Sequence, residues 1–247
     1  MYRSQLAETI TIPGHGGDPV ESYLARPLGE GPFPSMIVLH HAPGWDEATL
    51  EMVRKFAHHG YAAVCPHLFS REGRGSASPE DAAAAGRIAG GAPDDRVVGD
   101  VDGALGFLRQ QDFSNGKVGV IGFCSGGRQA YLAACQLPLD AAVDCWGGSV
   151  VMEKEALNER HPVAPIDLTA NLGCPLLGIF GADDYNPSLA QVDLIEKSLE
   201  AHGKTYEFHR YEGAGHSFFT VDELNYRVEQ ALDGWKQIFD FLGRHLA

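Results

Sequence analysis

Short apolar runs alternate along the chain with segments whose apolar residues recur at helical spacing. Residues 36–39 are apolar and follow a Gly-Pro-Phe-Pro sequence, which predicts a buried strand. Residues 47–59 have helical spacing and precede Gly60, which predicts a helix. Further strands are predicted at residues 61–65, 117–121, 141–145, 176–180 and 205–210, and further helices at 96–111, 125–137, 188–202 and 223–246. This alternation predicts an α/β fold with a mostly parallel, doubly wound sheet flanked by helices.

One segment, residues 70–95, departs from this alternation. It is rich in Gly, Ala and Arg, and a short helix is predicted over residues 82–89. The segment is either a lid over a site or a surface excursion without a role. No boundary for a second domain is evident, so residues 1–247 are predicted to form one domain. Ligands of such sheets bind beyond the carboxyl ends of the strands, so the residues after each strand are the candidates for chemistry.

The sequence Gly122-Phe-Cys-Ser-Gly126 follows a predicted strand and opens a predicted helix. This is the nucleophile elbow of the α/β-hydrolase fold, with Cys124 in the central position. The helix N-terminus behind Cys124 favours a thiolate. The alternative interpretation is a glycine-rich turn with a buried cysteine. Ser125 is a less favoured nucleophile because it lies one position too late in the elbow.

A general base and an acid are expected after the nucleophile in this fold. His216 lies in a loop of small residues after a predicted strand, and it is the candidate base; a surface loop histidine is the alternative. The acid is expected in the loop of residues 181–187, where it would fix the tautomer of the base. Asp183 and Asp184 compete for this role, and Asp184 is favoured.

The loop after residues 36–39 is expected to supply an oxyanion donor. Ala42 and Ser125 are the candidate backbone donors of the oxyanion hole, since Pro43 has no N–H group. His40 and His41 are adjacent, so on a strand they point to opposite faces and are poorly placed to share a metal ion. No metal site is predicted, and one of these histidines is expected to line or support the site.

Weaker candidates for substrate contact or support of the site are Arg128, one turn into the elbow helix, and Trp146, directly after a strand. Arg71 and Arg74 could bring charge to a substrate carboxylate if the lid folds over. For each of these residues a structural role is the alternative. Four further cysteines lie in apolar surroundings and are interpreted as core residues: Cys65, Cys135, Cys145 and Cys174.

The chain has 247 residues and a net charge of −14. That charge disfavours nucleic acid and anionic membranes as partners, and no segment is long and apolar enough to span a bilayer. An odd number of scattered cysteines and the lack of a secretory signal favour a reducing cytoplasm. No oligomeric state is predicted.

The cysteine elbow, the loop of residues 181–187 and the Gly-His-Ser-Phe sequence around His216 together resemble the dienelactone hydrolase family. The resemblance extends from about Ile10 to the C-terminus. It implies a carboxymethylenebutenolidase-like enzyme that opens an unsaturated lactone without a cofactor, with Cys124, Asp183 or Asp184, and His216 as its triad. His41 stands where the family has a Glu that contacts the cysteine, and Thr220 stands where it has a carboxylate-binding Arg. A shifted substrate is therefore expected.

The predicted function is hydrolysis of a small-molecule carboxylic ester or lactone through a thioester on Cys124. Two alternatives remain: a thiol hydrolase that cleaves thioesters or peptides, and a binding or sensor protein that keeps the hydrolase pocket without turnover. Retention of all three triad residue types in the expected order argues against the sensor.

Overall fold

The computed structural model describes residues 4–221 and 223–247. The strands are β1 (Gln5–Pro13), β2 (Pro19–Pro27), β3 (Phe33–Leu39), β4 (Ala62–Pro66), β5 (Ser114–Phe123), β6 (Ala141–Cys145), β7 (Leu176–Gly181) and β8 (Tyr206–Tyr211). The helices are α1 (Glu47–His58), α2 (Pro79–Ile88), α3 (Asp94–Arg109), α4 (Ser125–Ala134), α5 (Leu189–Ala201) and α6 (Val228–Leu246). Short 3₁₀ turns lie at His15–Gly17, Lys154–Ala156 and Pro165–Asn171.

The strands form one eight-stranded sheet in the order β1-β2-β4-β3-β5-β6-β7-β8. Strands β1 and β2 pair antiparallel, and β2 pairs antiparallel with β4. From β4 to β8 the pairing is parallel throughout. The predicted fold class, a mostly parallel sheet with flanking helices, is therefore confirmed.

The structure differs from the predicted elements near both ends of the chain. It adds two strands, β1 and β2, before the first predicted strand, and its last helix is shorter than predicted. The antiparallel pair β1–β2 was not predicted, because β1 is largely exposed and gives only a weak apolar pattern. The last helix begins at Val228 rather than at residue 223, so that boundary was wrong. The N–H of Arg227 donates to the carbonyl of Phe218 at 3.1 Å, which holds the chain in a turn before the helix.

The core lies on both faces of the sheet, as expected for strands that are covered by helices on each side. Helix α1 begins at its cap Asp46, which accepts from the Thr49 N–H at 2.9 Å, and it buries Val53 and Phe56 against the sheet. The carboxyl ends of the parallel strands meet at one edge, and the candidate residues gather there. Within the described residues, no helix has the length and apolar character that a membrane span requires.

Candidate active site

Cys124 lies in the turn between β5 and α4, with φ of 56° and ψ of −119°. This conformation is strained for a residue with a Cβ atom. A side chain at Gly122 would overlap the carbonyl of Gly126, and one at Gly126 would overlap the carbonyl of Leu39. The two glycines therefore permit the tight strand-to-helix turn that presents the Cys124 thiol.

Two backbone N–H groups lie close enough to the Cys124 sulfur to lower the pKa of the thiol. One belongs to Ser125, at the start of α4, where the helix dipole also favours negative charge. The other belongs to Ala42, in the loop that follows β3. These are the two residues that the sequence pattern predicted as oxyanion donors, and the structure brings both to the thiol.

His216 lies in the loop after β8, and its Nδ1 is 2.7 Å from Oδ2 of Asp184. The side chain of Asp184 is almost fully buried, and its Oδ1 accepts from the N–H of Asn186 at 2.9 Å. Asp183 is exposed, so the structure pairs His216 with the second of the two candidate acids. With Nδ1 on the carboxylate, Nε2 is the ring nitrogen left to interact with Cys124, whose sulfur helps to raise the pKa of the imidazole.

Cys124 and His216 shift each other's pKa, and Asp184 adds to the shift of His216. Burial alone would raise the pKa of the Cys124 thiol, but the hydrogen bonds from His216, Ser125 and Ala42 outweigh it and hold that pKa below its ordinary value. Burial likewise opposes the charged form of His216, yet Asp184 and the Cys124 sulfur raise the pKa of the imidazole to about 9. The geometry therefore favours a thiolate–imidazolium pair.

A cavity of about 460 Å³ opens beside the thiol. Ligand sites in proteins commonly have this size. Its wall includes Arg87 and residues 90–92, which belong to the 70–95 segment that the sequence left as either a lid or a surface excursion. Its lining residues include Ala42, Arg87, Cys124, Ser125, Arg128, Ser149, His161 and His216.

Arg128 lies on the cavity wall, but its charge is already paired. Its Nη1 and Nη2 are 2.5 and 3.0 Å from the two carboxylate oxygens of Asp94, and its Nε donates to the carbonyl of Ser149. His161 approaches the same carboxylate, with Nδ1 at 3.0 Å from Oδ1 of Asp94. The Arg128 guanidinium is therefore held within the wall by Asp94 and the Ser149 carbonyl.

Arg87 is the cationic side chain of the wall that carries no ion pair among the described residues. It lies on α2, and its Nη1 donates to the carbonyl of Ala42 at 3.0 Å. The arginines considered from the sequence lie elsewhere. Arg71 pairs with Asp18 and Asp100, and Arg74 lines a separate surface cavity.

His41 and Trp146 are not among the residues that line the main cavity. They line a much smaller void together with Thr220, the residue at the position of the family's arginine. His41 Nε2 is 2.6 Å from Oδ2 of Asp46, so its ring is directed to the cap of α1. Trp146 is buried and packs on Phe218, two residues after His216.

The model of the dienelactone hydrolase family matches residues 20–246. The chain belongs to the dienelactone hydrolase family. As a member, it is a hydrolase of the α/β-hydrolase fold, and the resemblance drawn from the sequence is confirmed.

Curated relatives and solved structures agree with this placement. A "Putative carboxymethylenebutenolidase" of Methylorubrum extorquens is 32% identical over 97% of this chain and 81% of its own length. A "Probable 2-oxo-3-(5-oxofuran-2-ylidene)propanoate lactonase" of Bradyrhizobium sp. is 31% identical over 94% of this chain and 92% of its own length. The crystal structure of a "Putative Dienelactone Hydrolase" from Klebsiella pneumoniae has a TM-score of 0.88 and 28% identity, and covers 98% of this chain and 100% of its own.

Sequence reasoning missed Arg87, Asp94 and His161 as parts of the site. Arg87 falls within the predicted helix of residues 82–89, but no periodicity indicates which loop that helix contacts. Asp94 and His161 are 67 residues apart. The Asp94 carboxylate at the first turn of α3 would ordinarily be interpreted as a helix-capping charge.

Proposed function

We propose that the chain hydrolyses a carboxylic ester or lactone that carries a carboxylate, with Cys124 as nucleophile, His216 as proton carrier and Asp184 as the residue that orients His216. The observation that carries this proposal is the hydrogen bond between Asp184 and His216, with His216 and Cys124 together on the wall of an open cavity, where each shifts the pKa of the other. The order of these residues in the chain is the order expected for this fold.

The reaction begins with attack of the Cys124 thiolate on the ester carbonyl. A carbon–sulfur bond forms, and the carbonyl oxygen becomes an oxyanion beside the N–H groups of Ser125 and Ala42. Loss of one such donor costs roughly 10²–10³ in kcat in other hydrolases. Collapse of the intermediate breaks the carbon–oxygen bond, and the leaving oxygen can take a proton from the His216 imidazolium.

The thioester on Cys124 is then hydrolysed. Neutral His216 takes a proton from water, and the resulting hydroxide attacks the thioester carbonyl. The carbon–sulfur bond breaks, so the thiolate and the imidazolium are restored and the carboxylic acid is released. Asp184 stabilises the imidazolium and keeps Nδ1 protonated throughout.

Arg87 is the reason for assigning a carboxylate to the substrate. Its guanidinium lies on the cavity wall and contacts a neutral carbonyl, so it retains donors and charge for an anion. Arg128 is neutralised by Asp94, so Arg87 is the wall arginine whose charge is unpaired among the described residues. Thr220 stands where the family has its carboxylate-binding arginine, so that position offers no charge here. The substrate carboxylate is therefore expected to lie toward Arg87 on α2.

The proposal is tested by steady-state hydrolysis of p-nitrophenyl acetate and of a dienelactone, with acetyl-p-nitroanilide as an amide comparison. Wild-type protein is expected to cleave the esters, and Cys124→Ala is expected to abolish cleavage. A rapid acid quench during turnover, followed by intact mass measurement, should show an acyl group on the wild-type chain that hydroxylamine removes.

Ser125→Ala is the matched control, because it changes the neighbouring side chain and keeps its backbone N–H group. It should retain most of the activity. Ester hydrolysis by Cys124→Ala at the wild-type rate would rule out the thioester route. Adduct formation without turnover would instead identify a sensor, and preferential cleavage of the anilide would identify a peptide hydrolase.

A further inference from the structure

His40 lies directly after β3 and is buried, yet both of its ring nitrogens are hydrogen-bonded. The backbone N–H of Leu68 donates to Nε2 at 3.1 Å. Nδ1 lies 2.9 Å from the carbonyl oxygen of His41. Because the Leu68 amide must be the donor, Nε2 is an acceptor, and the ring proton is therefore on Nδ1 and donates to the His41 carbonyl.

Only a neutral imidazole has one nitrogen that accepts and one that donates, as the hydrogen bonds of His40 require. Burial lowers the pKa of His40 to about 3, so the imidazole remains uncharged through the pH range in which the enzyme would work. The ring also packs against Phe69, with centroids 4.9 Å apart. His40 is thus held in one orientation and one tautomer.

The peptide unit that His40 contacts is the one that ends in the Ala42 N–H. Its carbonyl oxygen, on His41, also accepts the N–H of Gly44 at 2.9 Å. A peptide unit is planar, so fixing the carbonyl direction fixes the direction of the N–H on its opposite side. Two donors on the carbonyl also polarise the amide, which strengthens its N–H as a donor. That N–H lies beside Cys124 and helps to lower the pKa of its thiol.

We propose that His40 is a positioning residue: its Nδ1–H bond to the His41 carbonyl holds the His41–Ala42 peptide so that the Ala42 N–H donates to the oxyanion formed at Cys124. This inference rests on the proposed ester hydrolysis and adds a residue to it that does not touch the substrate. His40 acts on the second oxyanion donor, whereas His216 and Asp184 act on the nucleophile.

The test compares His40→Leu, which removes both hydrogen bonds, with His40→Gln, whose amide can donate to His41 and accept from Leu68. His67→Leu is the matched control. His67 is a neighbouring buried histidine that stacks on Trp45 at 5.0 Å, and its Nδ1 has no hydrogen-bond partner in the described part of the chain. Two rates are measured for each protein: hydrolysis of p-nitrophenyl acetate, and alkylation of Cys124 by iodoacetamide, a reaction that forms no oxyanion.

For His40→Leu we expect kcat to fall by roughly 10- to 100-fold, somewhat less than complete loss of an oxyanion donor. KM should change by less than about threefold, because the interaction is made mainly in the transition state. The alkylation rate should stay at the wild-type value. His40→Gln should recover most of kcat, and His67→Leu should keep it.

Two outcomes would overturn the proposal: an unchanged kcat in His40→Leu, or a parallel loss of kcat and alkylation, which would indicate a merely structural residue. Absence of ester hydrolysis in the wild-type protein would instead refute the proposed function.

Should His40→Leu fail to fold, wild-type protein labelled with nitrogen-15 histidine provides the test. Binding of a trifluoromethyl ketone at Cys124 should shift the His40 Nδ1–H resonance and leave that of His67 in place; an unmoved His40 signal would overturn the proposal.

Discussion

Oδ2 of Asp94 lies 3.0 Å from Nη2 of Arg128, and this bond joins the first turn of α3 to the first turn of the elbow helix α4. Both side chains are more than nine-tenths buried. His161 reaches the same carboxylate from the segment after β6. The Asp94 carboxylate thus connects three separate segments of the chain: α3, α4 and the segment after β6. Arg128 and His161, from the last two, line the cavity.

Asp94→Asn should destabilise the fold, because it leaves the Arg128 guanidinium buried without a counter-ion. Removal of one partner from a buried pair costs about 3–5 kcal/mol in other proteins, and we expect a loss near the lower end because the cavity admits water. The unfolding free energy from urea titration measures it. Asp95→Asn, an exposed neighbour on the same helix turn, is the control and should change stability by less than about 1 kcal/mol. Equal losses in the two variants would contradict the assignment of a buried pair.

The pH dependence of Cys124 alkylation should reveal its partnership with His216. Since the hydrogen bond from His216 helps to hold the thiol pKa below 9.0, wild-type protein should react with iodoacetamide at neutral pH and lose reactivity as the pH falls through the lowered pKa. In His216→Ala the thiol stays buried, and only the Ser125 and Ala42 N–H groups remain to oppose the effect of burial on its pKa. The midpoint should therefore move up toward or beyond 9.0, and the rate at about pH 7 should fall roughly tenfold or more.

Cys124→Ser provides the control for that measurement. The other cysteines are buried, and burial raises the pKa of each of their thiols: Cys65, Cys135, Cys145 and Cys174. Labelling should therefore disappear in Cys124→Ser. An identical pH midpoint in wild type and His216→Ala would show that the imidazole does not influence the thiol.

Much of the local arrangement could be predicted from the sequence because it depends on short-range geometry. The glycines around Cys124 and the alternation of strands and helices indicated where the thiol would lie and which loops would face it. The sequence favoured Asp184 over Asp183 but left both open, because the two are adjacent and the turn decides which one is buried. The N–H of Asp183 donates to the carbonyl of Ala214 at 2.9 Å, which helps to fix that turn.

The charges of the cavity wall were beyond sequence reasoning for a different reason. Arg128 and Asp94 are 34 residues apart, and Arg87 and Ala42 are 45 apart. Each contact depends on how a helix packs across the edge of the sheet, and no periodic pattern encodes that packing. His41 shows the converse: its position in the chain suggested a partner for the thiol, but the loop directs its ring to Asp46.

Asp144, at the end of β6, should make stability decline between acid and neutral pH. It is fully buried; its Oδ1 accepts from the Gly147 N–H at 2.7 Å, while Oδ2 has no partner among the described residues. Burial raises its pKa from 3.8 to about 7. The folded state therefore keeps a proton that the unfolded state has lost, and the unfolding free energy falls as pH rises through this window. The effect is on the order of 4 kcal/mol at full extent.

Asp144→Asn should remove this dependence, because the amide resembles the protonated acid and can still accept from Gly147. We expect the variant to gain stability relative to wild type as the pH rises from about 4 to 8, measured as the difference in unfolding free energy at each pH. Asp102→Asn, which changes an exposed carboxylate on α3, should show no such trend. A difference that does not vary with pH would mean that Asp144 titrates normally.

Arg87→Gln should lower activity selectively toward anionic esters. The variant removes the positive charge and keeps amide donors that can reach the Ala42 carbonyl, so the loop should retain its position. A hydrogen bond to a charged group contributes about 1.5–3 kcal/mol, which corresponds to roughly a 10- to 100-fold loss in kcat/KM for p-nitrophenyl hydrogen succinate. The kcat/KM for the neutral p-nitrophenyl acetate should fall much less, and the ratio of the two kcat/KM values is the decisive quantity.

Arg74→Gln, at an exposed arginine of the separate surface cavity, should leave that ratio unchanged. Equal losses on both esters in Arg87→Gln would mean that Arg87 only supports the Ala42 loop, and the substrate carboxylate would then need another partner.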